Sequence, residues 1–263
     1  MTPAHVAAPA ILRAQHITKR FGGLVAVNDV SFEVPTRSIV SIIGPNGAGK
    51  TTFFNMLTGL IRPTEGRILL EERNVTRSRP DVITGRGVAR TFQNIRLFGS
   101  MTATENVMIG HHARMRAGIF GAVFRPPWVT REERQARDKA RELLAYVGLE
   151  RADFDRLATQ LPYGDQRRVE IARALASAPR LLLLDEPTAG MNPQESAELT
   201  GFMRTMRDDL GLTILLIEHD MKVVMGVSER ITVLDYGAKI AEGDPAQVRA
   251  NPAVIKAYLG KEG

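Results

Sequence analysis

The chain has 263 residues, of which 44% are hydrophobic and 24% charged, a composition typical of a soluble globular protein that buries a full core. It contains no cysteine, which excludes a disulfide framework, a cysteine metal site and a cysteine nucleophile. The net charge of +6 comes from arginines spread along the chain, without a basic run or interleaved aromatic residues, so nucleic acid is not an expected partner.

Membrane-spanning and secretory patterns are both missing from the sequence. No apolar run approaches the roughly 18 residues of a membrane-spanning helix. Residues 1–10 lack the basic and apolar blocks of a secretory signal and are predicted to form a disordered tail. We therefore expect a cytoplasmic protein whose association with a membrane runs through a partner.

The first third of the chain predicts strands around one helix. Short apolar runs are bounded by glycine, proline or an Asn-Asp pair, and one run repeats its apolar residues at helical spacing. The predicted elements are two or three strands over 11–34 with turns at 22–23 and 28–29, a strand over 38–43, a helix over 50–60 with Phe53, Leu57 and Leu60 on one face, and a strand over 66–71.

The middle of the chain changes character. From about 97 to 160, short apolar groups alternate with charge clusters, which favours a helical segment inserted into an α/β frame. Strands and helices alternate again afterwards, as is typical of a mostly parallel sheet. The later predicted elements are a helix over 163–177, strands over 181–184 and 212–217, a hairpin over 231–241 turning near Gly237, and two short helices opened by Asp244-Pro245 and Asn251-Pro252.

One later helix has a clear start signal. Asn192 is predicted as its N-cap, with Pro193 at the first helical position and Glu195 placed to complete a capping box. Its apolar stripe is interpreted as core packing and ends before Gly211. The stripe consists of Leu199, Phe202, Met203, Met206 and Leu210.

A glycine-rich loop between the predicted strand 38–43 and the following helix matches the phosphate-loop pattern G-x-x-x-x-G-K-[ST] without a mismatch. Glycines at this spacing let backbone N–H groups surround phosphate oxygens, and the helix start adds its positive dipole end. Lys50 is expected to reach the β- and γ-phosphates, and the Thr51 hydroxyl to bind Mg²⁺. A chance turn is the alternative, and the strand–loop–helix context argues against it. The residues expected at the nucleotide here are Gly44, Pro45, Asn46, Gly47, Ala48, Gly49, Lys50, Thr51 and Thr52.

Two carboxylates follow the apolar run at 181–184. Parallel strands deliver their last residues to the ligand crevice, so Asp185 is expected to hold Mg²⁺ through a water and Glu186 to activate the attacking water as general base. An Asp-Glu pair alone is as often a solvated loop. Together with the phosphate loop, it predicts ATP hydrolysis.

From about residue 11 onward the chain resembles the ATPase subunits of ABC transporters. Phe21 is similar to the aromatic residue that stacks on adenine, and Gln93 to the glutamine that senses Mg²⁺ and the γ-phosphate. His219 resembles the switch histidine that contacts the γ-phosphate. Val27 is a further expected nucleotide contact. Each of these residues alone would more often be an ordinary core or loop residue, and it is their joint order that carries the resemblance.

The segment 161–166 occupies the position of the family signature Leu-Ser-Gly-Gly-Gln. In the family this helix start faces the γ-phosphate held by a second subunit, which implies a head-to-tail dimer with two ATP molecules between the subunits. Pro162 replaces the serine and Tyr163 the first glycine, whereas Gly164 remains as a backbone donor. Asn192 replaces the usual aspartate of the loop 189–192 that crosses to the second subunit.

The resemblance implies a P-loop NTPase (RecA-like) α/β core with an antiparallel β subdomain and an inserted helical subdomain. The core is expected over 11–96 and 161–240, the helical subdomain over 97–160 with the signature at its end, and C-terminal helices over 241–263. Implied ligands are ATP and Mg²⁺. Implied partners are a second ATPase subunit (a paralogue or a second copy), integral permease subunits and, indirectly, a periplasmic solute-binding protein, with the chain on the cytoplasmic face of the inner membrane.

Within this family the chain is most similar to the larger ATPase of branched-chain amino-acid importers. The segments 91–98 and 101–107 and the long insert from 111 to about 130 carry that similarity. Two alternatives remain open: an exporter ATPase such as that for lipopolysaccharide, and a soluble ABC ATPase of translation or DNA repair. A kinase or GTPase lacks support, because no Asn-Lys-x-Asp motif follows.

Overall fold

The structure, a computed structural model, describes residues 9–111 and 127–259. Across these ranges the chain forms two sheets with flanking helices. The strands are β1 (Ala10–Phe21), β2 (Leu24–Pro35), β3 (Ile39–Ile43), β4 (Glu65–Leu70), β5 (Arg73–Asn74), β6 (Val88–Arg90), β7 (Leu181–Asp185), β8 (Thr213–Ile217), β9 (Arg230–Asp235) and β10 (Ala238–Gly243). The helices are α1 (Lys50–Leu57), α2 (Pro80–Gly85), α3 (Ala103–His111), α4 (Pro127–Tyr146), α5 (Tyr163–Ala176), α6 (Pro193–Leu210), α7 (Met221–Val227), α8 (Pro245–Ala250) and α9 (Pro252–Leu259).

The larger sheet has the strand order β10-β9-β3-β8-β7-β6. Every neighbouring pair is parallel except β9 with β10, which confirms the predicted mostly parallel sheet. β3, β7 and β8 bury all of their residues, as parallel strands covered on both faces do. Because parallel strands end at the same edge, the loops after β3, β6, β7 and β8 meet there, and this edge forms the site described below.

The smaller sheet, in the order β2-β1-β4-β5, is antiparallel throughout. The predicted turn at Gly22-Gly23 is confirmed between β1 and β2. The predicted turn at 28–29 is wrong: both residues lie inside β2, where they form a bulge opposite β1. Asp29 has a φ of +50°, and its N–H donates to the Thr18 hydroxyl at 3.0 Å, which replaces a lost ladder bond.

Alternate residues of the parallel strands feed two separate cores. Leu181 and Leu183 of β7 pack with α1 and the antiparallel sheet, whereas Leu182 and Leu184 pack with α5 and α6 on the opposite face. The same alternation holds along β8. The sheet is thereby fixed between the phosphate-loop side and the helical side, and a shift of one residue in β7 would exchange the two faces.

Several helix boundaries differ from the prediction. α1 ends at Leu57 and not at residue 60, because Gly59 turns the chain with a φ of +74° and Leu60 is exposed. The capping box of Asn192 and Glu195 is confirmed at the start of α6. Leu199, Met203 and Met206 are buried and Phe202 is partly buried, as the stripe predicts, but Leu210 at the end of α6 is exposed.

Three of the predictions concern the two ends of the chain and the long insert. β1 begins at Ala10, inside the predicted tail, and residues 1–8 lie outside the described ranges, as do 112–126 of the insert. The two predicted C-terminal helices are confirmed as α8 and α9, after β10 has continued to Gly243. Within the described part of the chain, no helix combines the length and apolarity needed to cross a bilayer.

Candidate active site

The phosphate loop joins β3 to α1, in the strand–loop–helix context that the sequence predicts. Gly44, Gly47 and Gly49 have φ angles of +151°, +81° and +93°, which place them in backbone conformations that side chains disfavour. Lys50 is buried, and its Nζ donates to the carbonyls of Gly44 at 2.7 Å and Pro45 at 3.0 Å. These bonds hold the loop closed around its lysine.

Gly49 is a position of the loop that leaves no room for a side chain. A Cβ at Gly49 would lie 2.3 Å from the carbonyl oxygen of Ala26, in addition to the strain of its positive φ. Because strain of this kind costs about 1–3 kcal/mol, we expect Gly49→Ala to weaken ATP binding about fivefold or more. Equilibrium binding of a fluorescent ATP analogue measures this.

The matched control is Gly201→Ala, since nothing lies within 4 Å of a Cβ at Gly201 and its φ is not positive. This control is expected to bind ATP as the unmodified chain does. If Gly49→Ala bound ATP within twofold of the control, the loop would not cradle the phosphates.

A cleft of about 560 Å³ lies in front of the loop. It brings together four of the segments that the sequence singled out, because Gln93, Glu186 and His219 face the loop residues across it. The lining consists of Leu24, Val25, Ala26, Asn46, Gly47, Ala48, Gly49, Lys50, Thr51, Thr52, Gln93, Glu186, His219 and Tyr236. Gly44 and Pro45 lie below this surface and contribute their carbonyls to Lys50.

Two residues that were expected to contact the nucleotide do not line the cleft. Phe21 does not line the cleft; it is half-exposed, with Lys19 Nζ 4.9 Å from its ring centroid. Val27 is fully buried and sits beneath Gly49, with its Cγ2 3.4 Å from where a Cβ of that glycine would be. Among the described residues, the aromatic side chain that lines the cleft is Tyr236, in the turn between β9 and β10, and sequence reasoning missed it.

Glu186 is held between two partners at the end of β7. Gln93 Nε2 donates to its Oε2 at 2.9 Å, and His219 Nε2 lies 2.5 Å from its Oε1. Because an ionised carboxylate can only accept, Nε2 carries the proton in this histidine contact. Glu186 has a φ of +48°, an unusual backbone conformation for a glutamate, and its N–H donates to the Ile217 carbonyl at 2.8 Å.

Asp185 stands behind the cleft and not in its lining. It is 3% exposed, and Arg90 Nη2 donates to its Oδ2 at 2.7 Å. Arg90 also donates from Nη1 to Asn55 of α1 at 2.7 Å, so it links Asp185 to the helix of the phosphate loop. Sequence reasoning missed Arg90, because a single arginine at the end of a short strand carries no recognisable pattern.

Glu218, directly after β8, is another residue that sequence reasoning missed. It is buried, and one carboxylate oxygen accepts from the Thr188 N–H at 2.9 Å and from the Thr188 hydroxyl. The other accepts from the N–H of His219 at 2.8 Å. Glu218 therefore ties the loop after Glu186 to the backbone that presents His219.

The signature segment lies away from this cleft. Pro162 is the N-cap residue of α5 with a φ of −53°, so its missing N–H falls where the helix needs none. Gly164 and Asp165 border a different cavity of about 280 Å³, beside Glu195 of α6. Burial raises the pKa of Asp165, and neighbouring carboxylates such as Glu195 add to that effect while Arg168 opposes it.

The residues that line the cleft are suited to attack of water on a phosphoryl group. Backbone turns and a lysine form a positive pocket for phosphates, and a carboxylate with two hydrogen-bonding partners faces that pocket. A carboxylate in this position can orient and deprotonate a water molecule for attack on a phosphoryl group. The fold and the cleft therefore define a P-loop nucleoside triphosphatase.

Comparisons with known proteins narrow this class. The sequence profile described as ABC transporter matches residues 27–189, and that of the branched-chain amino acid ATP-binding cassette transporter matches 238–263. The chain is 48% identical to the high-affinity branched-chain amino acid transport ATP-binding protein LivG of Salmonella typhimurium, over 95% of this chain and 98% of that protein. It is 47% identical to BraF of Pseudomonas aeruginosa, with the same coverage of both chains.

Solved structures agree with the sequence comparisons. An ABC transporter ATP-binding cassette in its ADP conformation superposes with a TM-score of 0.84 at 32% identity, covering 97% of this chain and 100% of that one. A dimeric bacterial ABC transporter cassette superposes with a TM-score of 0.76 at 28% identity, covering 89% and 98%. The chain belongs to the ABC transporter family. It is an ATPase subunit, with the P-loop fold that the sequence predicts.

Proposed function

We propose that this chain is the ATP-hydrolysing subunit of an importer for branched-chain amino acids. The observation that carries the proposal is the 48% identity to a branched-chain transport ATPase across 95% of the chain. The second profile match, over residues 238–263, supports it independently, because it lies outside the 27–189 region shared by ABC cassettes in general.

In the proposed reaction, ATP binds with its phosphates in the loop 44–51 and the water attacks from the side of Glu186. Lys50 sits at the base of the loop, where its ammonium can stabilise charge on the β- and γ-phosphates. Glu186 takes the proton from the attacking water. Gln93 and His219 fix its two oxygens, and both can contact the γ-phosphate because they line the same cleft.

The residues present fit Mg²⁺ carried in by the nucleotide. Mg²⁺ keeps several waters and binds one or two protein groups plus substrate phosphates. Thr51 and Gln93 line the cleft, and the nitrogen of Gln93 is used by Glu186 while its oxygen can still bind the ion. Asp185, paired with Arg90, would act through a water. The ion would neutralise charge that develops on the phosphates.

We further propose a head-to-tail dimer with two ATP molecules between the subunits. The signature start, with Pro162 and Gly164, lies apart from the cleft of its own chain, which favours a role at a nucleotide held by another subunit. The dimeric state of a related cassette supports this arrangement. The second subunit is a paralogue or a second copy, and it joins permease subunits at the cytoplasmic face of the inner membrane, supplied by a periplasmic solute-binding protein.

Uptake of radiolabelled leucine tests the substrate class. In cells lacking the gene for this chain, leucine uptake is expected to fall and to recover with the unmodified gene but not with Glu186→Gln. Excess unlabelled isoleucine or valine should compete, and uptake of lysine should be unchanged. Normal leucine uptake in the deletion strain, with loss of another solute, would contradict the substrate class and leave the ATPase assignment standing.

A further inference from the structure

The signature helix α5 carries an arginine that the ATPase chemistry described above does not use. Arg167 is fully buried, and its Nη1 donates to Glu170 Oε2 at 2.7 Å, with Glu170 only 1% exposed. Burial raises the pKa of Glu170, although Arg167 and Arg173 act in the opposite direction. Removing two charges from water opposes folding, so a buried pair of this kind is poorly explained as a device for stability alone.

Four further hydrogen bonds of the pair go to the segment that carries Gln93. Arg167 donates from Nη1 to the Phe92 carbonyl and from Nη2 to the Gln93 carbonyl, both at 2.8 Å. Glu170 Oε1 lies 3.5 Å from the Phe92 nitrogen and 3.4 Å from the Arg96 nitrogen. The pair thus holds the backbone on both sides of Gln93. The planar guanidinium reaches Glu170 and these two carbonyls from two separate nitrogens in a fixed geometry, whereas a lysine would have a single nitrogen for all three.

The same arginine contacts the start of the signature. Arg167 Nη2 lies 3.4 Å from the Tyr163 hydroxyl, and Tyr163 packs on Gly190 of the crossing loop, 3.2 Å from where a Cβ would be. At the opposite end of this chain of contacts, the Gln93 side chain donates to Glu186. Contacts therefore run without a gap from the signature to the general base.

We propose that Arg167 is a positioning residue that couples the signature helix to Gln93 and Glu186. The signature helix faces the ATP of the second subunit, whereas Gln93 and Glu186 act on the ATP bound by their own subunit. The proposal rests on the head-to-tail dimer of the proposed function. When the signature helix shifts on contact with the opposite nucleotide, the backbone of Gln93 shifts with it, and Glu186 gains or loses a partner. Hydrolysis at one site then depends on occupancy of the other.

The variant that tests the coupling replaces both members of the pair, Arg167→Met with Glu170→Met. An apolar pair of similar volume removes both charges of the pair, and Arg173, which also faces Glu170, keeps its bond to the Arg96 carbonyl. The protein is therefore expected to fold, which circular dichroism and thermal unfolding check. ATP affinity of the isolated chain should stay within twofold. In the assembled transporter kcat should fall at least about tenfold, since misplacing a catalytic group by about 1 Å can cost up to 10²-fold.

Two further variants make the outcome specific. Arg167→Lys keeps the charge and one donor group, so its kcat should lie between those of the unmodified and the double-methionine chains. Arg141→Gln is the matched control, because Arg141 pairs with Asp155 at the surface and reaches no site residue, and its kcat should be unchanged.

The deciding measurement repeats the double methionine change in a Gln93→Ala background. If Arg167 acts through Gln93, the change should lower kcat by less than twofold there. A fall in kcat as large as in the unmodified background would overturn the proposal. So would an unchanged kcat of the double-methionine chain in the first experiment. A loss of ATP affinity in the isolated chain equal to the loss of turnover would overturn it as well. If the proposed function itself were wrong, the unmodified chain would not hydrolyse ATP in its transporter, so the two failures can be told apart.

Discussion

Replacing Glu186 by glutamine is expected to lower ATP turnover by about 10²–10⁴-fold while ATP binding survives, because an amide cannot accept the proton of the attacking water. The structure indicates that this substitution changes little in the cleft besides the carboxylate. The glutamine keeps an oxygen that can accept from His219 or Gln93, so the cleft retains much of its shape.

ATP binding and hydrolysis should be measured on the same preparation of Glu186→Gln. Glu242→Gln is a matched control, since Glu242 of β10 pairs with Lys239 of the same strand and Arg230 of β9 and does not line the cleft, and this variant should keep full turnover. If Glu186→Gln hydrolysed ATP about as fast as the control, Glu186 would not be the general base.

A second large effect is expected at the signature. A Cβ at Gly164 would meet Glu195 Oε1 at 3.4 Å, an ordinary contact, and its φ is not positive, so Gly164→Ala should be tolerated. Gly164→Asp instead adds a carboxylate beside Glu195 and, in the dimer, opposite the γ-phosphate of the second subunit. Two like charges about 4 Å apart repel by roughly 4 kcal/mol at an effective dielectric constant of 20, enough to lower turnover by a hundredfold or more.

The ATPase rates of Gly164→Asp, Gly164→Ala and Pro162→Ser should be compared in the complex with its membrane subunits. Pro162→Ser is expected to change the rate only a few-fold, because Pro162 caps α5 without using an N–H. ATP binding to the isolated Gly164→Asp chain should be normal. If Gly164→Asp kept full activity in the complex, the segment 161–166 would not be the signature.

Local patterns in the sequence predicted the parts of the site that are built locally. The phosphate loop lies between its strand and helix because glycine spacing and flanking apolar residues determine that turn within about ten residues. The Asn192 capping box is likewise a contact over three residues, and it is confirmed. Glu186 was predicted from its position after a buried strand, since parallel strands present their ends at one edge.

The residues that sequence reasoning missed act across long separations. Arg90 meets Asp185 over 95 residues, and Arg167 meets the Phe92 carbonyl over 75. Such contacts depend on how the sheet is assembled, and no local spacing encodes them. The wrong turn at 28–29 has a similar cause: the Asn-Asp pair does contain a left-handed residue, but pairing with β1 turned it into a bulge inside the strand.

The most direct test of the account is the association of Glu186→Gln on addition of ATP, followed by light scattering. Each ATP should bridge the phosphate loop of one subunit and the signature helix of another, so the chain is expected to be monomeric without nucleotide and dimeric at saturating Mg²⁺-ATP, with two nucleotides per dimer. The additional Gly164→Asp substitution should prevent the dimer. A chain that binds ATP yet stays monomeric, both alone and when mixed with the paralogous ATPase of its transporter, would contradict the shared nucleotide sites on which the mechanism depends.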